Sequence, residues 1–375
     1  MADEQMKDAK QILDEEFSME DILKDMVQKA ASDLHMKAGS APMLRIDGEL
    51  TPSTSLVLSG DRVRKLCESI ITDQQKAEFI AEKELDFAYS VPGLARFRVN
   101  FHFQRGSWAA AFRIVPVRPF TIDELKLPNI LKDLAMKPRG LILVTGPTGS
   151  GKSTTMAAMI NHINENKKCH IITVEDPIEF LHKDRTSVIT QREINADTLS
   201  FGQALRRILR QDPDVIMIGE LRDLETTQIA VTAAETGHLV LASLHTNSAP
   251  ATVDRIIDIF PPYQQQQIRM QLSVTLEGVM CQTLLPKASG HGRVMAMELM
   301  PVNPAVRNII REGKTHQIPN IIQAGATFGM KSMDMSLRDL YQQGVVTYEE
   351  ALSKAIDQNE FNRLIESAGE NKSKK

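Results

Sequence analysis

Lys152 and Ser153 close the run Gly146-Pro147-Thr148-Gly149-Ser150-Gly151, and Thr154 follows. The spacing G-x-x-x-x-G-K-S can cradle a polyphosphate. Successive backbone N–H groups curl around phosphate oxygens, and a helix beginning near Thr154 would add its positive dipole end. The Lys152 ammonium can reach the outer phosphates, and the Ser153 hydroxyl can ligate Mg²⁺. Glycines at 146, 149 and 151 allow torsions that a Cβ forbids and keep side chains away from the phosphates. The apolar stretch Leu141–Thr145 reads as a buried strand entering the loop. Strand, loop and helix in that order imply a nucleoside triphosphate site rather than an ordinary glycine-rich turn.

Acidic residues stand where such a site needs them. Val215-Ile216-Met217-Ile218 is uniformly apolar, as a central parallel strand should be, and ends in Gly219-Glu220. A carboxylate at that edge can hold Mg²⁺ through water or polarise the attacking water. Gly219 stands where an Asp is common, so the task falls to Glu220. Its structural alternative is a charge at a helix N-terminus ahead of Arg222-Asp223. Val174-Glu175-Asp176-Pro177-Ile178-Glu179 follows the next candidate strand and sets three carboxylates at the same kind of edge, suited to metal-water binding or general-base work. His238 and His245 bracket the strand Val240–Leu244. Either could be a phosphate sensor or a satisfied structural residue. Arg96, Arg98 and Arg113 lie outside this region, and phosphoryl transfer often uses a guanidinium delivered from another domain or subunit. Arg206, Arg207, Arg210 and Arg222 form a second basic group, some of them expected to be plain ion-pair partners.

The elements that would position these groups fall into two halves. Ser18 and Asp21 form a capping pair for a helix whose Met19, Ile22, Leu23, Met26, Val27 and Ala30 share one face. Two short strands follow within 34–46, with Asp47-Gly48 as a hairpin turn. Helical periodicity returns around 63–71 and after Asp73. From Ala95 to Gln104 apolar and polar residues alternate without error, and a return strand runs from Trp108 to Val115 after Gly106. Prolines 116, 119 and 128 punctuate a linker. Candidate strands at 141–145, 170–174, 215–218, 240–244 and 293–298 then alternate with helices near 152–165, 200–210, 223–236 and 249–258. That order implies a mostly parallel sheet covered on both faces. The expected domains are an acidic, flexible leader at 1–18, an α+β domain at 19–116, and a linker with a lead-in helix at 117–139. An α/β core at 140–300, a helical region at 301–365 and a disordered tail at 366–375 complete the chain.

Composition narrows the class. The chain has 375 residues, 42% hydrophobic and 25% charged, with a formal net charge of −4. No basic field advertises nucleic acid or anionic lipid, and one Trp offers little for base stacking. No apolar run approaches the ~20 residues of a membrane span, and the acidic start lacks the layout of a secretory signal. Cys67, Cys169 and Cys281 include no C-x-x-C pair and read as reduced thiols. A cytoplasmic enzyme is expected.

Taken together the segments resemble the secretion-type AAA-like ATPases, and within them the branch of type IV pilus retraction motors. The phosphate loop 146–153, the acidic box 174–179, the Gly-Glu box ending at 220 and the histidine box 238–245 match that family's four nucleotide motifs in order. Ser32-Asp33-Leu34-His35 and Leu44-Arg45-Ile46-Asp47-Gly48 are similar to the opening of its N-terminal domain. The likeness covers residues from about 19 to about 345. It implies a PAS-like α+β domain followed by a RecA-like phosphate-loop ATPase domain with a helical C-terminal part. It implies ATP and Mg²⁺ as cofactors, with Gly146 to Thr154 cradling the phosphates and Ser153 and Glu220 serving the metal. Glu179 and Glu220 become the acidic catalytic pair beside Lys152, with His238 and His245 as the histidine pair. Arg96, Arg98 and Arg113 become nucleotide contacts from the PAS-like domain.

The resemblance further implies a homohexamer with sites between subunits, coupled to an inner-membrane pilus platform protein. Absence of paired C-x-x-C motifs separates the chain from extension ATPases. Ala305-Val306-Arg307-Asn308-Ile309-Ile310-Arg311-Glu312 is close to the retraction branch's A-I-R-N-L-I-R-E helix. An accessory paralogue of that branch is the near alternative. A ring ATPase that translocates nucleic acid is the distant one, disfavoured by charge. A GTPase switch would want N-K-x-D, from which Asn166-Lys167-Lys168-Cys169 departs at its last residue.

Overall fold

The computed structural model describes residues 17–46, 48–115 and 118–373. The expected leader up to residue 16, Asp47 of the hairpin turn and Pro116 of the linker lie outside them. Two compact units result. One holds the described residues up to Arg118 together with Glu179–Leu181; the other holds Pro119–Ile178 and His182 onward.

The first unit opens with α1 (Met19–Gln28), where Ser18 accepts from the Asp21 N–H and Asp21 from the Ser18 N–H, a complete capping box. Its Met19, Ile22, Leu23 and Met26 are buried on one stripe. Then come β1 (Asp33–Lys37), β2 (Met43–Ile46), β3 (Glu49–Pro52), α2 (Gly60–Glu68), α3 (Asp73–Glu82), β4 (Glu84–Val91), β5 (Ala95–Gln104) and β6 (Ser107–Val115). The strands form one antiparallel sheet in the order β3-β2-β1-β6-β5-β4. In β5 Ala95, Phe97, Val99 and Phe101 are buried while Arg98 is exposed, as the alternation requires. Arg105 and Gly106 both take positive φ, 51° and 78°, matching the two-residue turn between the paired residues Gln104 and Ser107. Phe79 of α3 seals the apolar face, 4.7 Å edge-on from the Trp108 ring and 4.9 Å from Phe103.

The second unit begins with α4 (Ile130–Ala135), β7 (Gly140–Thr145), α5 (Lys152–Asn166), β8 (His170–Glu175), β9 (Val188–Glu193), α6 (Phe201–Ile208), β10 (Val215–Ile218), α7 (Leu224–Glu235) and β11 (Leu239–Leu244). It continues through α8 (Ala249–Asp258), α9 (Pro262–Thr275), β12 (Leu276–Pro286) and β13 (Arg293–Pro301). The helices α10 (Pro304–Glu312), α11 (Ile318–Ala324), α12 (Met333–Gln342), α13 (Tyr348–Lys354) and α14 (Gln358–Ser373) end it. The sheet order is β13-β12-β7-β11-β10-β8-β9, parallel throughout except for the antiparallel β13. Alternate residues of β7 go to opposite cores: Leu141 and Leu143 join one cluster, Ile142 and Val144 the other. Both faces are therefore covered, the condition for uniformly apolar strands.

The fold class expected from the pattern is the one observed, an antiparallel α+β unit followed by a RecA-like mixed sheet. In the first unit β3 and β4 escaped the periodicity, and in the second β9, β12 and α9 did. β9 is a half-polar edge strand, β12 follows α9 with no intervening loop, and the apolar pattern of the continuous helix α9 is interrupted by four consecutive glutamines. The helix α14 also runs on to Ser373, into the charged stretch where a disordered tail is expected.

Candidate nucleotide-binding and catalytic site

Four strands of the second unit end at one edge of the sheet, and the chemistry gathers there. The phosphate loop leaves β7, and α5 begins at Lys152, within the helix expected near 152–165. Gly146, Gly149 and Gly151 have φ of 141°, 77° and 91°. A Cβ on Gly146 would collide with the Gln282 carbonyl oxygen. Pro147, Thr148 and Gly149 form the exposed tip, while Ser150 is 2% exposed and its buried hydroxyl has no hydrogen-bond partner among the described residues. Lys152 Nζ donates to the carbonyls of Gly146 and Pro147 at 2.8 and 3.1 Å. A tight glycine turn, a helix N-terminus, a lysine and a neighbouring hydroxyl at Ser153 fit a polyphosphate with its divalent cation.

Behind the loop lies a support that the motif does not announce. Gln282 of β12 is buried; its side-chain N–H donates to Ser150 O at 2.8 Å and its oxygen accepts from Thr155 Oγ1 at 3.0 Å. Thr145 Oγ1 donates to Cys281 Sγ at 3.0 Å, and burial pushes that thiol up to about 12, leaving it an inert packing group. A lone amide inside an apolar strand was the available signal for Gln282.

Glu220 follows β10, and His245 follows β11. His245 Nε2 lies 3.1 Å from Glu220 Oε1, and Arg222 Nη2 lies 2.7 Å from Glu220 Oε2. On its other side His245 Nδ1 stands 3.4 Å from Lys152 Nζ. An ammonium only donates, so Nδ1 accepts and Nε2 carries the proton given to Glu220. A relay Lys152–His245–Glu220–Arg222 thus crosses the ends of three strands. Burial pushes the Glu220 carboxyl up, but the Arg222 guanidinium and His245 outweigh it and hold the group below its ordinary value. Gly219 has a steric reason: a Cβ there would press on Val174 O at 3.3 Å and Glu175 Cα at 3.4 Å. The helix N-cap is Asp223, accepting from Thr226 N at 2.8 Å, so Glu220 is not the capping charge.

Of the acidic box, Glu175 is buried and accepts from Thr173 Oγ1 at 2.7 Å and Gln191 Nε2 at 3.1 Å. Glu179 is exposed, and among the described residues its carboxylate takes no hydrogen bond or ion pair. His238 is not brought together with His245. It precedes β11, at the opposite end of that strand from His245, roughly 20 Å away at about 3.3 Å per residue. There its Nδ1 sits 3.0 Å from the Ala233 carbonyl, at the end of α7. In the first unit Arg113 pairs with Asp33 at 2.7 Å, Arg98 is exposed directly across from Arg113, and Arg96 is half-buried. Arg206 pairs with Glu225 at 2.5 Å, as an ordinary ion pair.

A phosphate loop leaving a buried parallel strand, with acidic and imidazole groups at the neighbouring strand ends, defines a RecA-like nucleotide-binding domain. The chain belongs to the Type II/IV secretion system protein family, whose profile matches residues 117–368. It is 47% identical over 335 residues to the type IV pilus retraction ATPase PilT of Pseudomonas aeruginosa, covering 89% of this chain and 97% of that one. It is 41% identical over 354 residues to the type IV pilus ATPase PilU of the same organism, covering 94% and 93%. The crystal structure of the pilus retraction motor PilT with bound ADP superposes with a TM-score of 0.87 at 45% identity, covering 93% of this chain and all of that chain. Among the described residues no helix is long and apolar enough to cross a membrane.

Proposed function

We propose that this protein is an ATP-hydrolysing motor that powers type IV pilus retraction. The observation that carries the reading is the relay from Lys152 through His245 to Glu220 and Arg222 beside a complete phosphate loop. Identity of 47% to PilT against 41% to PilU favours the principal retraction motor over the accessory paralogue.

In the proposed site Gly146 to Thr154 wrap the phosphates of ATP through backbone N–H groups, and Lys152 leaves the loop carbonyls for the outer phosphates. The Ser153 hydroxyl, with Glu220 through water, would hold Mg²⁺, which when bound neutralises charge on the terminal phosphates. Glu220 is committed to Arg222 and His245, which lowers its basicity and suits it to metal-water and imidazole positioning. Among the described residues Glu179 has no such partner, and its exposed carboxylate is left to accept the proton of the attacking water. His245, bridging Lys152 and Glu220, would report the state of the phosphates to β11 and α8. Arg96, Arg98 and Arg113 would act on the nucleotide of a neighbouring copy in a homohexamer. Such a ring would work in the cytoplasm at the pilus base, against the platform protein of the inner membrane.

Steady-state ATPase measurement tests the core of this reading. Lys152→Ala and Glu220→Ala are each expected to lower turnover at least a hundredfold with the folded far-UV spectrum retained. Phosphate release at wild-type rate by either variant refutes the assignment.

A further inference from the structure

β9 is the edge strand next to β8, and it does more than extend the sheet. The two run parallel with Thr173 opposite Gln191 and Glu175 opposite Glu193. Between them the chain leaves β8 through Asp176, Pro177 and Ile178 and passes Glu179, Phe180 and Leu181. It returns at His182. Both flanks of that three-residue segment are tied to β9 by side chains. The Ile178 N–H donates to Glu193 Oε2 at 3.0 Å, and the His182 N–H donates to Gln191 Oε1 at 2.8 Å.

The anchors are themselves fixed. Glu193 is 4% exposed and its own N–H donates to Asp197 Oδ2 at 2.8 Å, while Ile194 N donates to Glu175 O at 2.9 Å. Gln191 uses its remaining group on Glu175 Oε1 at 3.1 Å, an oxygen that Thr173 Oγ1 also reaches at 2.7 Å. A carboxylate accepting a backbone N–H makes a charge-assisted bond, stronger than a neutral acceptor provides. Burying it is costly unless it is satisfied. The carboxylate therefore sits where the loop needs a stiff anchor, one residue before Glu179. An ordinary surface turn between two strands has no such pair of interior side-chain ties.

We propose that Glu193 and Gln191 are positioning residues that clamp the Glu179 segment at both ends. They fix the reach of the Glu179 carboxylate from the end of β8, and this rests on Glu179 acting on the attacking water as read above. Loss of a clamp moves a base by a fraction of an ångström to an ångström, enough to cost on the order of a hundredfold in rate without loosening the nucleotide.

The test is ATPase kinetics on the full chain with four variants. Glu193→Ala is expected to lower kcat about tenfold or more, with the KM for ATP within about twofold. Glu193→Gln keeps an oxygen acceptor for Ile178 and is expected to stay within about threefold of wild type. Gln191→Ala should lower kcat in the same direction by less, and it carries the test if Glu193→Ala does not fold. Adding Glu193→Ala to Glu179→Gln should cost nothing further, because one residue acts through the other. The proposal is overturned if both alanine variants keep wild-type kcat, if Glu193→Gln is as impaired as Glu193→Ala, or if the double variant falls well below Glu179→Gln alone. A Glu179→Gln variant at wild-type turnover removes the underlying reading of Glu179 instead, so the two failures are distinguishable.

Discussion

Glu220 shows how one carboxylate is tuned by its neighbours. Burial disfavours its charge, Arg222 and His245 restore it, and the net effect holds the group below 4.5. The sign for activity follows. In the wild type Glu220 stays ionised until pH falls below the ordinary carboxylate range. Arg222→Ala removes the strongest opposing influence and leaves burial, so the carboxyl should move upward and the acid limb of the kcat profile with it. A pH–rate profile with the limb unmoved would place the essential ionisation elsewhere. Lys152 belongs to the same argument: its ammonium bonds two loop carbonyls and faces an imidazole, so its charge is held at the loop, next to the proposed phosphate cradle.

Elements are coupled by a second carboxylate, deep in the nucleotide-binding unit. Glu298 of β13 is 5% exposed and accepts from Ala249 N, the first residue of α8, and from the Met333 N–H that begins α12. It therefore joins the helix that follows His245 to the C-terminal helices. Burial, with the nearby Asp334 charge, pushes Glu298 up to about 7, against 4.5 for a free carboxyl. A raised acid pKa contributes stability that is full below 4.5 and lost as pH rises through 7. The contribution is about 3 kcal/mol in order of magnitude. Thermal or denaturant unfolding between pH 4.5 and 8 should show this loss in the wild type and lack it in Glu298→Gln. Parallel curves for the two proteins would remove Glu298 as the origin. At the same scale Gln282 shows why β12 matters: it ties the loop and the first turn of α5 to a strand more than 120 residues further along the chain.

At the scale of the whole molecule the arginines of the first unit are the open element. The pairing register sets Arg45, Asp33, Arg113 and Arg98 in one row across β2, β1, β6 and β5. Asp33 pairs with Arg113, Arg45 Nη1 donates to the Gly48 carbonyl at 2.6 Å, and Arg98 directly faces Arg113, a like-charge arrangement that costs about 0.2–1 kcal/mol in an isolated sheet. An anion from elsewhere would offset that repulsion. If that anion is the nucleotide of a neighbouring copy, Arg98→Ala and Lys152→Ala should each be inactive alone. Mixed together they should recover a fraction of wild-type ATPase, because some interfaces then carry an intact loop and an intact arginine. No recovery at any mixing ratio, with assembly confirmed by particle mass, would exclude action between subunits.

Much of this was legible along the chain because it depends on near neighbours. The glycine spacing of 146–151, the capping box at Ser18 and the alternation of Ala95–Gln104 are set by backbone sterics and side-chain direction over two to four residues. The grouping of Lys152, His245, Glu220 and Arg222 is of another kind. Lys152 and His245 are 93 residues apart in sequence and 3.4 Å apart in space, because β7 and β11 pair in register at the sheet's centre. The same packing separates His238 from His245, which seven positions of sequence could not reveal, since a strand sends its two ends to opposite edges of a sheet. β9 and β12 carry too little periodicity to announce themselves, and their Glu193, Gln191 and Gln282 acquire meaning only from the loops they brace. Local geometry follows from residue order, whereas long-range partners follow from strand order and register, which emerge when apolar faces are buried together.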